Sequence, residues 1–145
     1  MLEWPYIQRW EATEEGLAIT IEHATETRQL HAIQAGAAAD VLGMGTSYIE
    51  YRDANKLVVR TEGFAPRFWG LGRGVDSSTE KVVREVYEMQ EDGYRIKLTY
   101  TVMDGEYLTE PVSVTRMFRK VHDIEFAEEP PCDVTTAQRH LEFER

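Results

Sequence analysis

Several ionisable side chains in this chain sit among strand-forming apolar neighbours at a spacing of two. Arg84 alternates with Val82 and Val86, and Arg116 with Val114 and Phe118. Arg60 and Glu62 are two apart, as are Tyr48 and Glu50, and His31 lies in a run with Gln29 and Ile33. Residues two apart on a strand share a face. If that face lines an interior, each charge must be paired or meet a polar ligand group, because burying it alone costs several kcal/mol. Arg84 and Arg116, each with apolar residues on its own face, are therefore candidates to hold the polar end of a ligand, with Arg60 as a third. The alternatives for each are a structural ion pair, or an outward Arg whose stem covers apolar surface.

Aromatic residues complete the constellation. Tyr48 and Tyr100 are placed to line a pocket, Phe64 to flank it, and Phe68-Trp69 after Pro66 either to cover it or to plug its mouth. Large rings cover apolar ligands with little entropy to lose. For acid–base chemistry the candidates are Glu62, Tyr48 and His31, with an Arg stabilising developing negative charge. No metal-ligand spacing is present: His23 and His31 are eight apart and nothing completes a set. The glycine-rich run Gly70-Leu71-Gly72-Arg73-Gly74 precedes a strand, so it reads as a lid or connector rather than a phosphate loop. The sequence calls for no cofactor.

The elements that must position these residues are strands. Period-two alternation dominates, most clearly in Tyr94-Ile96-Leu98-Tyr100-Val102 against Arg95-Lys97-Thr99-Thr101. Val83, Tyr87 and Met89 share a face with Glu85. Eight strands are predicted, near 4–11, 17–24, 26–34, 44–52, 56–63, 79–90, 93–103 and 111–121. Turn chemistry separates them at Glu14-Glu15-Gly16, Asp53-Ala54-Asn55-Lys56, Glu91-Asp92-Gly93 and Asp104-Gly105-Glu106. The small-residue run Ala35-Gly36-Ala37-Ala38-Ala39-Asp40 reads as a loop or one helical turn. After Pro130-Pro131, Asp133 is placed to cap a short C-terminal helix. Consecutive strands with short turns predict an all-β, antiparallel up-and-down barrel over about 4–121, a tail over 122–145, and one domain in all. An eight-stranded barrel has room for side chains or one small ligand; a two-sheet sandwich is the alternative.

Composition narrows the function classes. The chain has 145 residues and a formal charge of −10, from 26 acidic against 16 basic side chains. That balance argues against nucleic acid or an anionic membrane surface as a partner. No apolar run approaches the roughly 20 residues of a membrane span. The single cysteine, Cys132, cannot form an intramolecular disulfide, and the first residues lack a basic and then apolar leader. The expectation is a cytoplasmic protein.

The segment Gly45-Thr46-Ser47-Tyr48-Ile49-Glu50-Tyr51, then Lys56-Leu57-Val58-Val59-Arg60-Thr61-Glu62-Gly63-Phe64, then Trp69, resembles a group of uncharacterised bacterial proteins of calycin (lipocalin-like) type. Val83-Arg84-Glu85-Val86-Tyr87 and Tyr107-Leu108-Thr109-Glu110-Pro111-Val112 follow in the same order. The chain departs from the group at Tyr51, where Trp is usual, and at Ala65-Pro66 after Gly-Phe. The resemblance implies a calycin-like barrel with a ligand cavity. The expected function is binding of a small, largely apolar molecule with one polar or acidic group. The alternatives are a cofactor-independent isomerase, cyclase or hydratase in the same cavity, and a structural homodimer module with a filled barrel.

Overall fold

The computed structural model describes residues 7–21, 27–32 and 43–122. Ten strands lie there: β1 Gln8–Thr13, β2 Gly16–Ile21, β3 Thr27–Ala32, β4 Met44–Arg52, β5 Lys56–Phe64, β6 Arg67–Gly72, β7 Val75–Ser77, β8 Val82–Met89, β9 Arg95–Met103 and β10 Val112–Arg119. Eight of them form one sheet in the order β1-β2-β3-β4-β5-β8-β9-β10, and β6 pairs only with β7. The eight predicted strands are all there. The segment read as a glycine-rich connector is instead the additional hairpin β6–β7, whose turn Gly72 and Gly74 form at φ 146° and 86°. The predicted C-terminal helix and the Ala35–Asp40 run lie outside the described residues.

Two expectations are corrected. The sheet is not wholly antiparallel, because β3 and β4 pair in parallel through Leu30↔Ser47, His31↔Tyr48 and Ala32↔Ile49. A parallel pair needs the chain to return to its starting end. The eleven residues between Ala32 and Met44 are long enough to do so, where a tight turn is not. Nor do the described strands close a barrel: the order ends at β1 and β10, and no described ladder joins them. The sheet is a curled half-barrel.

Local chemistry sets the turns. Asp53 accepts the N–H of Asn55 and of Lys56, at 2.8 and 2.7 Å, to fix the β4–β5 hairpin. Asp92 does the same for Tyr94 and Arg95 between β8 and β9. Gly16, which opens β2, has φ 150°, and a Cβ there would lie 2.1 Å from the carbonyl oxygen of Leu30. Only glycine fits that approach. A bulge at Glu50 breaks the β4–β5 register between Ile49 and Tyr51.

Alternation then sorts the side chains. Leu17, Ile19, Leu30, Leu57, Val59, Tyr87 and Leu98 pack into one core on the concave face. Trp10, Ile49, Ile96, Tyr100 and Phe118 pack against it while staying partly exposed. Burying such residues stabilises the sheet by about 1.5–3 kcal/mol each.

Candidate functional site

The concave face carries one polar track. Glu85 on β8 is only 1% exposed. Its register partners are Val59 on β5 and Tyr100 on β9, so it stands in the middle of the apolar wall. A lone carboxylate there would be untenable. Arg28 resolves this from β3, three strands away in the sheet order. Three strand spacings of a flat sheet amount to about 14 Å. Two long side chains reaching toward each other, and the curl of the sheet, close that gap.

The guanidinium is held along its whole path. Nε donates to Ser47 Oγ on β4 at 3.1 Å, and Nη2 to Thr61 Oγ1 on β5 at 2.9 Å. Nη1 donates to Glu85 Oε1 at 3.0 Å, and Nη2 pairs with Glu85 Oε2. Ser47 and Thr61 also bond each other at 2.9 Å. Tyr87 donates its hydroxyl to Glu85 Oε1 at 3.0 Å. Among the described residues every buried side-chain nitrogen and oxygen has a partner.

Electrostatics follow from this packing. Burial by itself would lower the Arg28 pKa, but the adjacent Glu85 carboxylate holds it above its ordinary value. Burial first, and then Glu85, push the Tyr87 phenol well above its ordinary value, so it stays a neutral donor. The Arg28 side chain is still 31% exposed. The fixed ion pair thus lies beside a wall built from Trp10, Ile49, Tyr100 and Phe118. That arrangement can receive an anionic or carbonyl oxygen, and Tyr87–Glu85 fixes its orientation.

The residues singled out in the sequence divide between the faces. Tyr100 lies on the concave face, opposite Glu85. The interior placement expected for Arg84 and Arg116 is not found. Arg84 is 49% exposed and donates to Glu50 at 3.1 Å on the opposite face. The β4 bulge at Glu50 lies beside this pair. Arg116 shares the parity of Leu98 but sits on the last strand of the sheet, exposed. Arg60 stands directly opposite Arg84 and pairs with Glu62 at 2.8 Å. Tyr48 is next to Arg60 across the β4–β5 ladder and next to His31 across the parallel pair. His31 Nδ1 is 3.8 Å from Glu15. So Tyr48, Arg60, Glu62 and Arg84 do come together, on the face away from the core. Phe64 lies under the ammonium of Lys81 at 4.6 Å, and Trp69 is exposed on β6.

Sequence reasoning missed Arg28, Ser47 and Thr61, and noted Glu85 and Tyr87 only as strand neighbours. The usable signal was Glu85 itself, the one acid on a face of Val83, Tyr87 and Met89. A buried polar group is more informative than an exposed apolar one. Arg28 has no such flag, since its run carries polar residues on both faces.

A second feature lies at the β9–β10 connection. A shallow depression of about 200 Å³ is lined there by Met103, Asp104, Leu108 and Pro111. Asp104 is buried by accepting Ser78 N–H and Ser78 Oγ, each at 2.8 Å, which makes this a stapled loop. Among the described residues no three His, Cys, Asp or Glu side chains gather to hold a metal ion. No helix among them is long and apolar enough to cross a membrane. No protein-family model, curated protein or solved structure matches this chain.

Proposed function

We propose that the concave face of this calycin-like half-barrel binds a small, largely apolar molecule bearing one polar or acidic group. The observation that carries the reading is the setting of Arg28. A guanidinium fixed by Glu85, Ser47 and Thr61, on a side chain that is 31% exposed, lies beside partly exposed Trp10, Ile49, Tyr100 and Phe118. Binding sites of this kind combine apolar walls with few, fixed polar groups. Glu85, Ser47 and Thr61 hold the cation in place before the ligand arrives, so little ordering is left to do on binding. The single Cys132 fits a reducing compartment, and the reading places the protein in the cytoplasm.

Native mass spectrometry of freshly purified protein tests this directly, since a retained small molecule names the ligand class. The apolar anion 8-anilinonaphthalene-1-sulfonate serves as a solution probe, with medium-chain carboxylates as competitors. Saturable one-to-one binding is expected. Tyr100→Ala and Phe118→Ala should each weaken it about tenfold, equivalent to about 1.4 kcal/mol, with an unchanged circular dichroism spectrum. Absence of both a retained molecule and saturable probe binding would overturn the reading.

A further inference from the structure

Alternation and register place four charged strand residues on the concave face: Arg28 on β3, Arg52 on β4, Glu85 on β8 and Arg116 on β10. Arg28 lies opposite Ile19, and Glu85 opposite Val59. Arg52, Leu57, Tyr87, Leu98 and Arg116 follow one another in a single row across β4, β5, β8, β9 and β10. That row is apolar or aromatic in the middle and ends in an arginine on each side.

Glu85 is the one acid of this set, and Arg28 matches it. Each nitrogen of the Arg28 guanidinium already donates, Nε to Ser47, Nη1 to Glu85 and Nη2 to Thr61. An acidic ligand group brought to the same place would set a second carboxylate beside Glu85, and like charges at close range oppose each other. Its charge needs another cation.

Arg52 and Arg116 remain, and among the described residues neither pairs with a carboxylate. Their surroundings differ. Arg52 ends β4, next to Asp53 of the hairpin turn. Arg116 stands within β10, between Val114 and Phe118 on its own face, with Tyr100 and Ile96 as diagonal neighbours on β9. Diagonal neighbours in a sheet lie about 7–8 Å apart, within reach of long and aromatic side chains. Ile96, Tyr100 and Phe118 belong to the partly exposed margin of the core. Among the described residues the Arg116 head touches only the Thr115 carbonyl, at 3.4 Å. A planar, open guanidinium set in an apolar rim complements the carboxylate of an amphiphilic acid.

We infer that Arg116 reads the charge of the ligand, which is an organic acid: its carboxylate lies on Arg116 and its apolar chain covers Val114, Tyr100 and Phe118. This rests on the concave-face binding proposed above and narrows it to an anion. Arg28 with Glu85 then shapes the wall, and Arg116 selects the ligand's charge.

Isothermal titration of the full chain with octanoate and with 1-octanol tests the inference, because the two have the same number of carbons and differ in charge. The parent should prefer octanoate by about five- to tenfold at low salt, and about 0.5 M sodium chloride should narrow the preference, since the contact is open to solvent. Arg116→Gln should remove the preference, leave 1-octanol binding within about twofold, and melt as the parent does, because the residue is exposed. Arg52→Gln removes an arginine of the same face four strands away in the sheet order, and should keep the preference. Equal affinity of the parent for the two compounds overturns the inference and makes the ligand neutral. An unchanged preference in Arg116→Gln overturns it as well, and so does an equal loss in Arg52→Gln. Binding of neither compound also overturns it, and if anilinonaphthalenesulfonate fails to bind too, the concave-face reading falls with it.

Discussion

Trp10 and Tyr87 meet edge to face across the core, with ring centroids 4.9 Å apart and planes at 83°. They lie on the first and sixth strands of the sheet order. A flat sheet would keep them far apart, so their contact measures how strongly the sheet curls. Tyr87 in turn donates to Glu85. One phenol thus joins the aromatic floor to the buried ion pair.

Breaking that pair from one side should be expensive. Arg28→Met leaves Glu85 buried without a cation, and a loss of about 3–5 kcal/mol is expected. Glu85→Gln should cost somewhat less, since the amide oxygen can still accept from the Arg28 guanidinium. The double variant Arg28→Met with Glu85→Met should be more stable than Arg28→Met alone, because it leaves no orphaned charge. Urea unfolding of the three variants gives the coupling energy. Additive losses would contradict a direct pair.

The turn into β2 offers a backbone test. Gly16→Ala forces a methyl into the Leu30 carbonyl at a φ of 150°. A loss of more than about 2 kcal/mol is expected, with the same probe signals in the folded state. Alanine placed instead at an exposed strand position, as in Thr115→Ala, should cost no more than about 1 kcal/mol.

The opposite face should tolerate change. Arg84→Met removes an ion pair with Glu50 that is open to solvent. Exposed pairs contribute about 0–1 kcal/mol, and thermal melting should shift by no more than a few degrees. Anilinonaphthalenesulfonate binding should be unchanged. A large loss of binding in this variant would move the site to that face.

Stability should fall at both ends of the pH range. Asp92 is held down to about 2 by the N–H groups of Tyr94 and Arg95 and by the Arg95 guanidinium. Asp53 is held low by the Tyr51 hydroxyl and the Asn55 N–H. Burial works against Asp104, but the hydrogen bonds from Ser78, Glu106 and Tyr107 outweigh it and keep it low. Depressed carboxylates contribute fully above about pH 4 and lose that contribution as pH falls toward 2. Tyr87 is raised, so its neutral form contributes below about pH 10 and the contribution is lost above it. Urea midpoints against pH should show a plateau between these limits. Asp92→Asn should flatten the acid limb, and Tyr87→Phe the alkaline one.

Local patterns in the sequence revealed the strands and turns because both are set by neighbours in the chain. Asp53, Asp92 and Gly93 act within a few residues, and Ile96-Leu98-Tyr100 alternates without interruption. Pairing direction is different. Nothing local marks β3 and β4 as parallel, because the direction depends on how the intervening chain returns. The face of each strand was ambiguous for the same reason. Arg84 and Glu85 are adjacent, each has apolar residues two away, and only the register shows that Glu85 faces the core. The site was mislaid by one residue, and its cation lies 57 positions away in sequence.

The parallel pairing has a consequence for assembly. The antiparallel neighbours β1–β2–β3 and β4–β5–β8–β9–β10 form two ribbons, the second with the β6–β7 hairpin between β5 and β8. The seam between these two ribbons has only three register pairs, and it is the parallel ladder of the sheet. Long-range parallel contacts are slow to form. Arg28 crosses that seam, reaching from the smaller ribbon to Ser47, Thr61 and Glu85 on the larger. It is the rivet between two halves, and a chain cut between Ala32 and Gly43 should yield fragments that reassociate only while that rivet is intact.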